Sequence, residues 1–140
     1  MTTMPASAEP AVELLELRSS DHVVQVRQRV RTRAVELGLS LVDQTKIVTA
    51  ASELARNTID YGGGGTLSIF LISDGTRRGI RLTFEDRGPG ISDIDLALKD
   101  GYSTGGGLGL GLSGARRLSS EFSIDSKPGE GTRVAITRWR

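Results

Sequence analysis

Four short stretches carry residue types whose spacing could do chemistry. In Glu53-Leu-Ala-Arg-Asn57 a carboxylate and an amide stand four residues apart, which puts them on one edge of a helix. That pair suits a general base and an oxygen ligand for magnesium, an ion that keeps waters and substrate phosphates in its shell. Asp86-Arg-Gly-Pro-Gly90 offers an acceptor carboxylate followed by glycines that let a flat ring approach the backbone, as an adenine and its exocyclic amine would require. Ser103–Gly114 reads STGGGLGLGLSG, with glycine at 105, 106, 107, 109, 111 and 114. Leu108, Leu110 and Leu112 alternate with these glycines, so the segment reads as a phosphate-cradling turn running into a packed helix, whose first amides attract anions. Gly129-Glu-Gly-Thr132 is a turn whose hydroxyl could extend a base site. Each stretch has a plain alternative when taken alone: a solvated helix edge, a turn, a flexible glycine loop, a hairpin.

The elements that must position these residues follow from periodicity and punctuation. Val12–Leu17 reads as a first strand. Ser19, Ser20 and Asp21 are N-cap candidates for a helix whose apolar stripe is Val23, Val26, Val30, Ala34 and Leu37, closed by Gly38. Arg27, Arg29, Arg31 and Arg33 lie mostly off that stripe and are expected to form a solvated face. Ser40 with Asp43 approximates a capping box for a second helix, with Ile47, Ala50, Ala51, Leu54 and Thr58 as its core face. Four consecutive glycines, 62 to 65, break it. Thr66–Ser73 and Arg78–Glu85 read as strands around an Asp74-Gly75 turn, with Ile80, Leu82 and Phe84 on one face. Ser92–Lys99 predicts a short helix capped by Ser92, and Ser113–Ser120 a packed one. A strand opening at Phe122 and Ile124, the Pro128–Gly131 turn and a last strand over Thr132–Trp139 complete the order.

Strands joined by short turns predict a mixed, mainly antiparallel sheet with helices on one face, an α+β two-layer sandwich. A doubly wound dinucleotide fold is disfavoured, because the glycine stretch does not directly follow a strand. Residues 11–140 are expected to form one domain behind a disordered tail over 1–10. Composition narrows the function classes further. The net charge is +1, so no global field draws the chain to nucleic acid or to a membrane. There is no cysteine, which excludes disulfides and a thiolate nucleophile and fits a reducing compartment, the cytoplasm. A lone His22 argues against zinc. No apolar run reaches the length of a membrane span.

Taken in this order, the four stretches resemble the ATP site of the gyrase, heat-shock-chaperone, histidine-kinase and mismatch-repair (GHKL) ATPases, over nearly the whole chain from about Ser19. The resemblance implies the Bergerat ATP-binding fold, with ATP and Mg2+ as ligands. It makes Glu53 the general base, Asn57 the magnesium ligand and Asp86 the partner of the adenine amine. Gly88, Gly90 and Ile91 would shape the base pocket, Thr132 would close it, and Tyr61 would lie against the nucleotide. Residues 91–104 would form a short lid, and Gly105, Gly106, Gly107, Leu108, Gly109 and Leu110 would wrap the phosphates. Asp60 departs from the pattern, since histidine-kinase relatives often carry a basic residue there. His22 is followed by Val23 and not by the acidic residue that follows a phosphoacceptor histidine. The phrases ELARNTIDYGGGG, GGGLGLGLSGARRL and GTRVAITRW look like the stressosome switch kinases, the RsbT type. That type implies transfer of phosphate to serine or threonine of STAS-domain partner proteins, followed by activation of a PP2C-type phosphatase. Anti-sigma factor kinases, a nucleotide-gated binding module without catalysis and an ATP hydrolase stand as alternatives. The hydrolase is the poorest fit, because no second domain supplies the lysine that hydrolytic relatives use.

Overall fold

The strand periodicity resolves into a five-stranded sheet with helices packed on one face. A computed structural model describes residues 10–99 and 111–140. In chain order the elements are β1 (Glu13–Leu17), α1 (Ser20–Leu37), α2 (Leu41–Asp60), β2 (Gly65–Ser73), β3 (Arg78–Asp86), α3 (Ile94–Ala97), α4 (Gly111–Arg117), β4 (Glu121–Lys127) and β5 (Gly131–Trp139). The sheet order is β1-β2-β3-β5-β4, and every strand pair in it is antiparallel. The α+β two-layer reading holds, and the parallel pairing that a mixed sheet allowed is absent among the described residues. The disordered tail expected over 1–10 lies almost wholly outside the described residues.

Strand register stacks the core into rows that cross the sheet. Glu13, Ile69, Leu82, Ile136 and Phe122 form one row. Leu15, Leu67, Phe84, Val134 and Ile124 form the next. The third row is Leu17, Gly65, Asp86, Thr132 and Ser126. On three neighbouring strands the helix-facing positions thus turn from apolar to polar at the same level. Against the apolar rows α1 sets Val23, Val26, Val30 and Ala34, while α2 sets Ile47, Ala50, Ala51 and Leu54. Each fully buried Leu or Ile here contributes about 1.5–3 kcal/mol relative to exposure.

The helix ends show where local signals held and where long-range contacts overrode them. Gly38 closes α1 in the left-handed region at φ 88°, as its position predicts. Ser40 caps α2 by accepting the Asp43 N–H at 3.1 Å. The return half of the capping box is missing, because Asp43 Oδ1 accepts instead from Arg138 Nη2 at 2.7 Å. Arg138 also donates to the Leu118 carbonyl at 3.3 Å, so it ties α2 to the end of α4. Its guanidinium holds the Asp43 carboxyl below the usual range. Helix α3 spans four residues and is capped by Asp93, whose carboxylate accepts the Leu96 N–H at 3.0 Å, so Ser92 is not its cap. Helix α4, described from Gly111, stops at Arg117, earlier than expected, because the Ser120 N–H already pairs with the Thr137 carbonyl of the sheet.

The arginine stripe is not a uniformly solvated face. Arg29 donates to both oxygens of Glu13, at 2.7 and 3.1 Å, and Arg33 adds a third bond at 2.8 Å. Glu13 occupies an inward position of β1 with its side chain 13% exposed, so these arginines compensate a carboxylate in the core layer. The Arg29 hydrogen bond is the main reason its carboxyl stays below the usual range; partial burial opposes the shift and the Arg33 bond adds to it. The pair clamps α1 onto the edge strand. His22 is equally structural, since its Nδ1 accepts the Arg18 N–H at 2.9 Å at the start of α1. Among the described residues no helix is long and apolar enough to cross a membrane.

Candidate functional site

The polar third row opens into a cavity of about 500 Å³ between the sheet end, α2 and the segment around α3. Its two chemical ends come from distant parts of the sequence. Helix α2 supplies Glu53 and Asn57 from one edge, as the four-residue spacing predicts, and ends in Tyr61, a residue 44% exposed that also lines the cavity. The sheet supplies Asp86 from the last residue of β3 and Thr132 from the start of β5, directly paired with it. Phe84, Ile91 and Leu112 give the apolar walls. A flat aromatic ring fits between such walls, with the Asp86 carboxylate placed to receive an amine.

Asp86 is held from two sides. Its Oδ1 accepts the Gly88 N–H at 2.9 Å, which fixes the carboxylate rotamer and leaves Oδ2 for a ligand. Gly62, just past α2, packs against the same carboxylate, and a Cβ there would lie 2.5 Å from Oδ2. Gly88 does not line the cavity; it packs on the Gly62 backbone and acts through Asp86.

The loop after Asp86 is strapped to the β4–β5 hairpin. The Gly129 N–H donates to the Pro89 carbonyl at 2.7 Å, and the Ile91 N–H donates to Ser126 Oγ at 2.8 Å. Gly90 takes φ 75° and sits against the Lys127 carbonyl, where any side chain would collide. The turn around Gly129 therefore holds the base-side loop, and the hydroxyl of Thr132 lies one residue beyond it.

At the other end Glu53 Oε2 pairs with Arg56 Nη1 at 3.2 Å, with Glu53 only 16% exposed and Arg56 facing outward. Asp60 lines the rim and is exposed, so the position at which a basic residue is common in histidine-kinase relatives carries a second carboxylate. The described lining holds Glu53, Asp60, Asp86 and Asp93 against a single guanidinium, Arg56. A polyphosphate needs a cation in such a site. Among the described residues no cluster of three acidic or histidine side chains could cage a metal alone. An amide oxygen at Asn57 fits magnesium, which takes most of its ligands from phosphate and water. Gly105, Gly106, Gly107, Leu108, Gly109 and Leu110 lie outside the described residues, as does the lid beyond residue 99.

The geometry therefore brings together Glu53, Asn57, Tyr61, Asp86, Gly90, Ile91 and Thr132 around one cavity, with Gly88 behind Asp86. Sequence reasoning missed Gly62 and Ser126. Gly62 was read only as a helix breaker. Ser126 had a legible signal, since it continues the inward phase of Phe122 and Ile124.

Residues 42–139 match the family model described as histidine kinase-, DNA gyrase B-, and HSP90-like ATPase, and the chain belongs to that family. Within it the chain sides with ATP-using protein kinases of the serine/threonine type: it is 48% identical over 117 residues to serine/threonine-protein kinase RsbT of Bacillus subtilis (strain 168), covering 84% of this chain and 88% of that one. It is also 29% identical over 133 residues to an anti-sigma F factor of Thermoanaerobacter sp. (strain X514), covering 91% and 92% of the two chains. Two solved structures share the fold. One holds the RsbU and RsbW domains of a Mycobacterium tuberculosis protein (TM-score 0.62, 24% identity, 92% of this chain and 33% of that one). The other is the mycobacterial sensor histidine kinase MprB (TM-score 0.56, 18% identity, 91% and 96%).

Proposed function

We propose that this chain is an Mg-ATP-dependent serine/threonine kinase of a bacterial partner-switching pathway of the stressosome type. It phosphorylates STAS-domain partner proteins and then activates a PP2C-type phosphatase. The observation that carries the reading is that Glu53 and Asp86 line one cavity, in a chain 48% identical to a serine/threonine-protein kinase.

In this reading Asp86 Oδ2 accepts the adenine amine, Thr132 closes the base site, and the ring lies between Phe84 and Ile91. Glu53 then stands at the phosphate end. A partner's seryl or threonyl oxygen attacks the γ-phosphorus of ATP. Its proton passes to the Glu53 carboxylate, the bond to the bridging oxygen breaks, and ADP leaves with the electron pair. Arg56 steadies the Glu53 carboxylate from outside. Asn57 would hold magnesium, which when bound neutralises charge on the phosphates; the amides of Gly105–Gly109 would cradle them. Catalysis of this kind is positioning and electrostatics.

The test is transfer of label from γ-labelled ATP to purified STAS-domain proteins, with Glu53→Gln as control. Expected is label on a partner serine or threonine, lost by a factor of about 10²–10⁴ in the variant with ATP binding retained. Wild-type transfer by Glu53→Gln would remove the base assignment. The anti-sigma F relatives favour a second reading, sequestration of a sigma subunit. ATP binding without label on any partner, together with retention of a sigma factor on the immobilised protein, would establish it, and neither label nor retention would leave a nucleotide-gated binding module.

A further inference from the structure

The polar row of the sheet contains a residue that faces the site without touching its cavity. Ser126 pairs across strands with Thr132, which pairs with Asp86. Its hydroxyl meets three partners: the Ile91 N–H at 2.8 Å, the Gly131 carbonyl at 3.0 Å and Thr132 Oγ1 at 2.8 Å. Ile91 and Thr132 both line the cavity; Ser126 does not, and with Asp86 and Thr132 it lines the neighbouring groove.

A hydroxyl has one proton and two acceptor positions. The Ile91 amide occupies one acceptor position of Ser126. Two arrangements remain. If Ser126 donates to Thr132, the Thr132 proton is free to point into the cavity. If Ser126 donates to the Gly131 carbonyl, Thr132 must donate to Ser126 and shows only lone pairs to the ligand. A carboxylate at Asp86 does not by itself choose among bases, because it accepts an N–H from several of them. The ring nitrogen beside the adenine amine is an acceptor, and it calls for the first arrangement.

We infer that Ser126 is a positioning residue for base recognition, which holds Thr132 and Ile91 in place so that the Thr132 hydroxyl meets the adenine ring nitrogen. The inference rests on the reading of the cavity as an adenine site. Its effect belongs to the base edge, far from the phosphates, so it belongs to affinity and not to the transfer step.

The experiment compares ATP with 1-deaza-ATP, in which a C–H replaces the acceptor nitrogen, by calorimetric titration of the wild-type chain and of Ser126→Ala. Losing one hydrogen bond from the recognition edge corresponds to about a fivefold to tenfold weaker binding of ATP. For 1-deaza-ATP the same variant is expected to change affinity by less than twofold. The transfer rate at saturating ATP is expected to stay within twofold, and Ser126→Thr, which keeps the hydroxyl, is expected to restore ATP affinity. Should the alanine variant not fold, Ser126→Cys carries the comparison, since its thiol is a weak donor of similar shape. Equal losses for both nucleotides would make Ser126 a mere support of the loop and overturn the inference, as would unchanged ATP affinity. If the wild-type chain itself bound both nucleotides equally and Asp86→Asn left ATP affinity intact, the adenine-site reading would fall, and the inference with it.

Discussion

Gly62→Ala isolates the carboxylate at the base site without touching it. Gly62 lacks the positive φ that only glycine tolerates, so alanine fits its backbone. Its new Cβ would lie 2.5 Å from Asp86 Oδ2, whereas ordinary contact begins at 3.4 Å. The new atom also meets the Asp86 Cβ at 2.6 Å, which rotation cannot clear, so the whole Asp86 side chain and the Gly62 turn must move apart by nearly an ångström, which strains the 2.9 Å bond from the Gly88 N–H. That movement spoils the one hydrogen bond that Asp86 offers a ligand amine. A hydrogen bond to a charged group contributes about 1.5–3 kcal/mol, so ATP affinity is expected to fall between about tenfold and a hundredfold. The fold is expected to survive, because replacing glycine at a compatible site stabilises by about 0.4–1 kcal/mol through the unfolded chain, which offsets part of the local strain. Calorimetric titration with Mg-ATP measures the first effect, and thermal melting without nucleotide measures the second. Unchanged affinity, or an apo melting temperature that drops as steeply as the affinity, would refute the reasoning.

Three further outcomes are expected. Asp86→Asn turns an acceptor oxygen into a donor at the base edge and is expected to weaken ATP binding at least a hundredfold, read by the same titration, with melting of the apo protein within a few degrees of wild type. Gly90→Ala forces a left-handed conformation on alanine against the Lys127 carbonyl; it is expected to cost about 1–3 kcal/mol in a urea unfolding curve and to weaken ATP binding with it. The carboxyls of Glu13 and Asp43 are both held below their ordinary values of 4.5 and 3.8 by arginine hydrogen bonds. Their contribution is therefore complete above that range and is lost as pH falls through the lower folded values. Glu13→Gln is accordingly expected to destabilise the protein at neutral pH by about 1–2 kcal/mol, with the gap to wild type closing below pH 4 in urea titrations.

Much of this was legible in the sequence because the signals were local. Ser40, Gly38 and the apolar stripes of α1 and α2 fixed both long helices to within a residue or two, and Ile80, Leu82 and Phe84 fixed the phase of β3. The misreadings came from partners far away in the chain. Asp43 left its capping box for an arginine 95 residues on, and Arg29 and Arg33 left solvent for a glutamate on β1. The site itself was half legible. Glu53 and Asn57 share a helix edge by arithmetic alone, but the adjacency of Asp86, Thr132 and Ser126 depends on register across β3, β5 and β4. One regularity could have revealed it: three strands break their inward apolar phase at the residue that ends or begins next to a glycine turn.

The sheet order has a consequence for how the molecule is made. β5, the last strand in sequence, lies between β3 and β4 and pairs with both. Until it arrives, β3 and β4 each present an unpaired edge, and Thr132 is missing from the cavity wall. Closure of the sheet and completion of the cavity are thus one late, long-range event, reached only after the loop-closure cost of bringing distant segments together is met. A nascent chain on the ribosome is expected to gain nucleotide affinity in a single step once β5 has emerged, and a ligand present at that moment would bind the closed sheet and draw folding forward by mass action. Chains lacking β5 would instead carry two sticky edges in the middle of the sheet, the kind of surface through which β proteins aggregate.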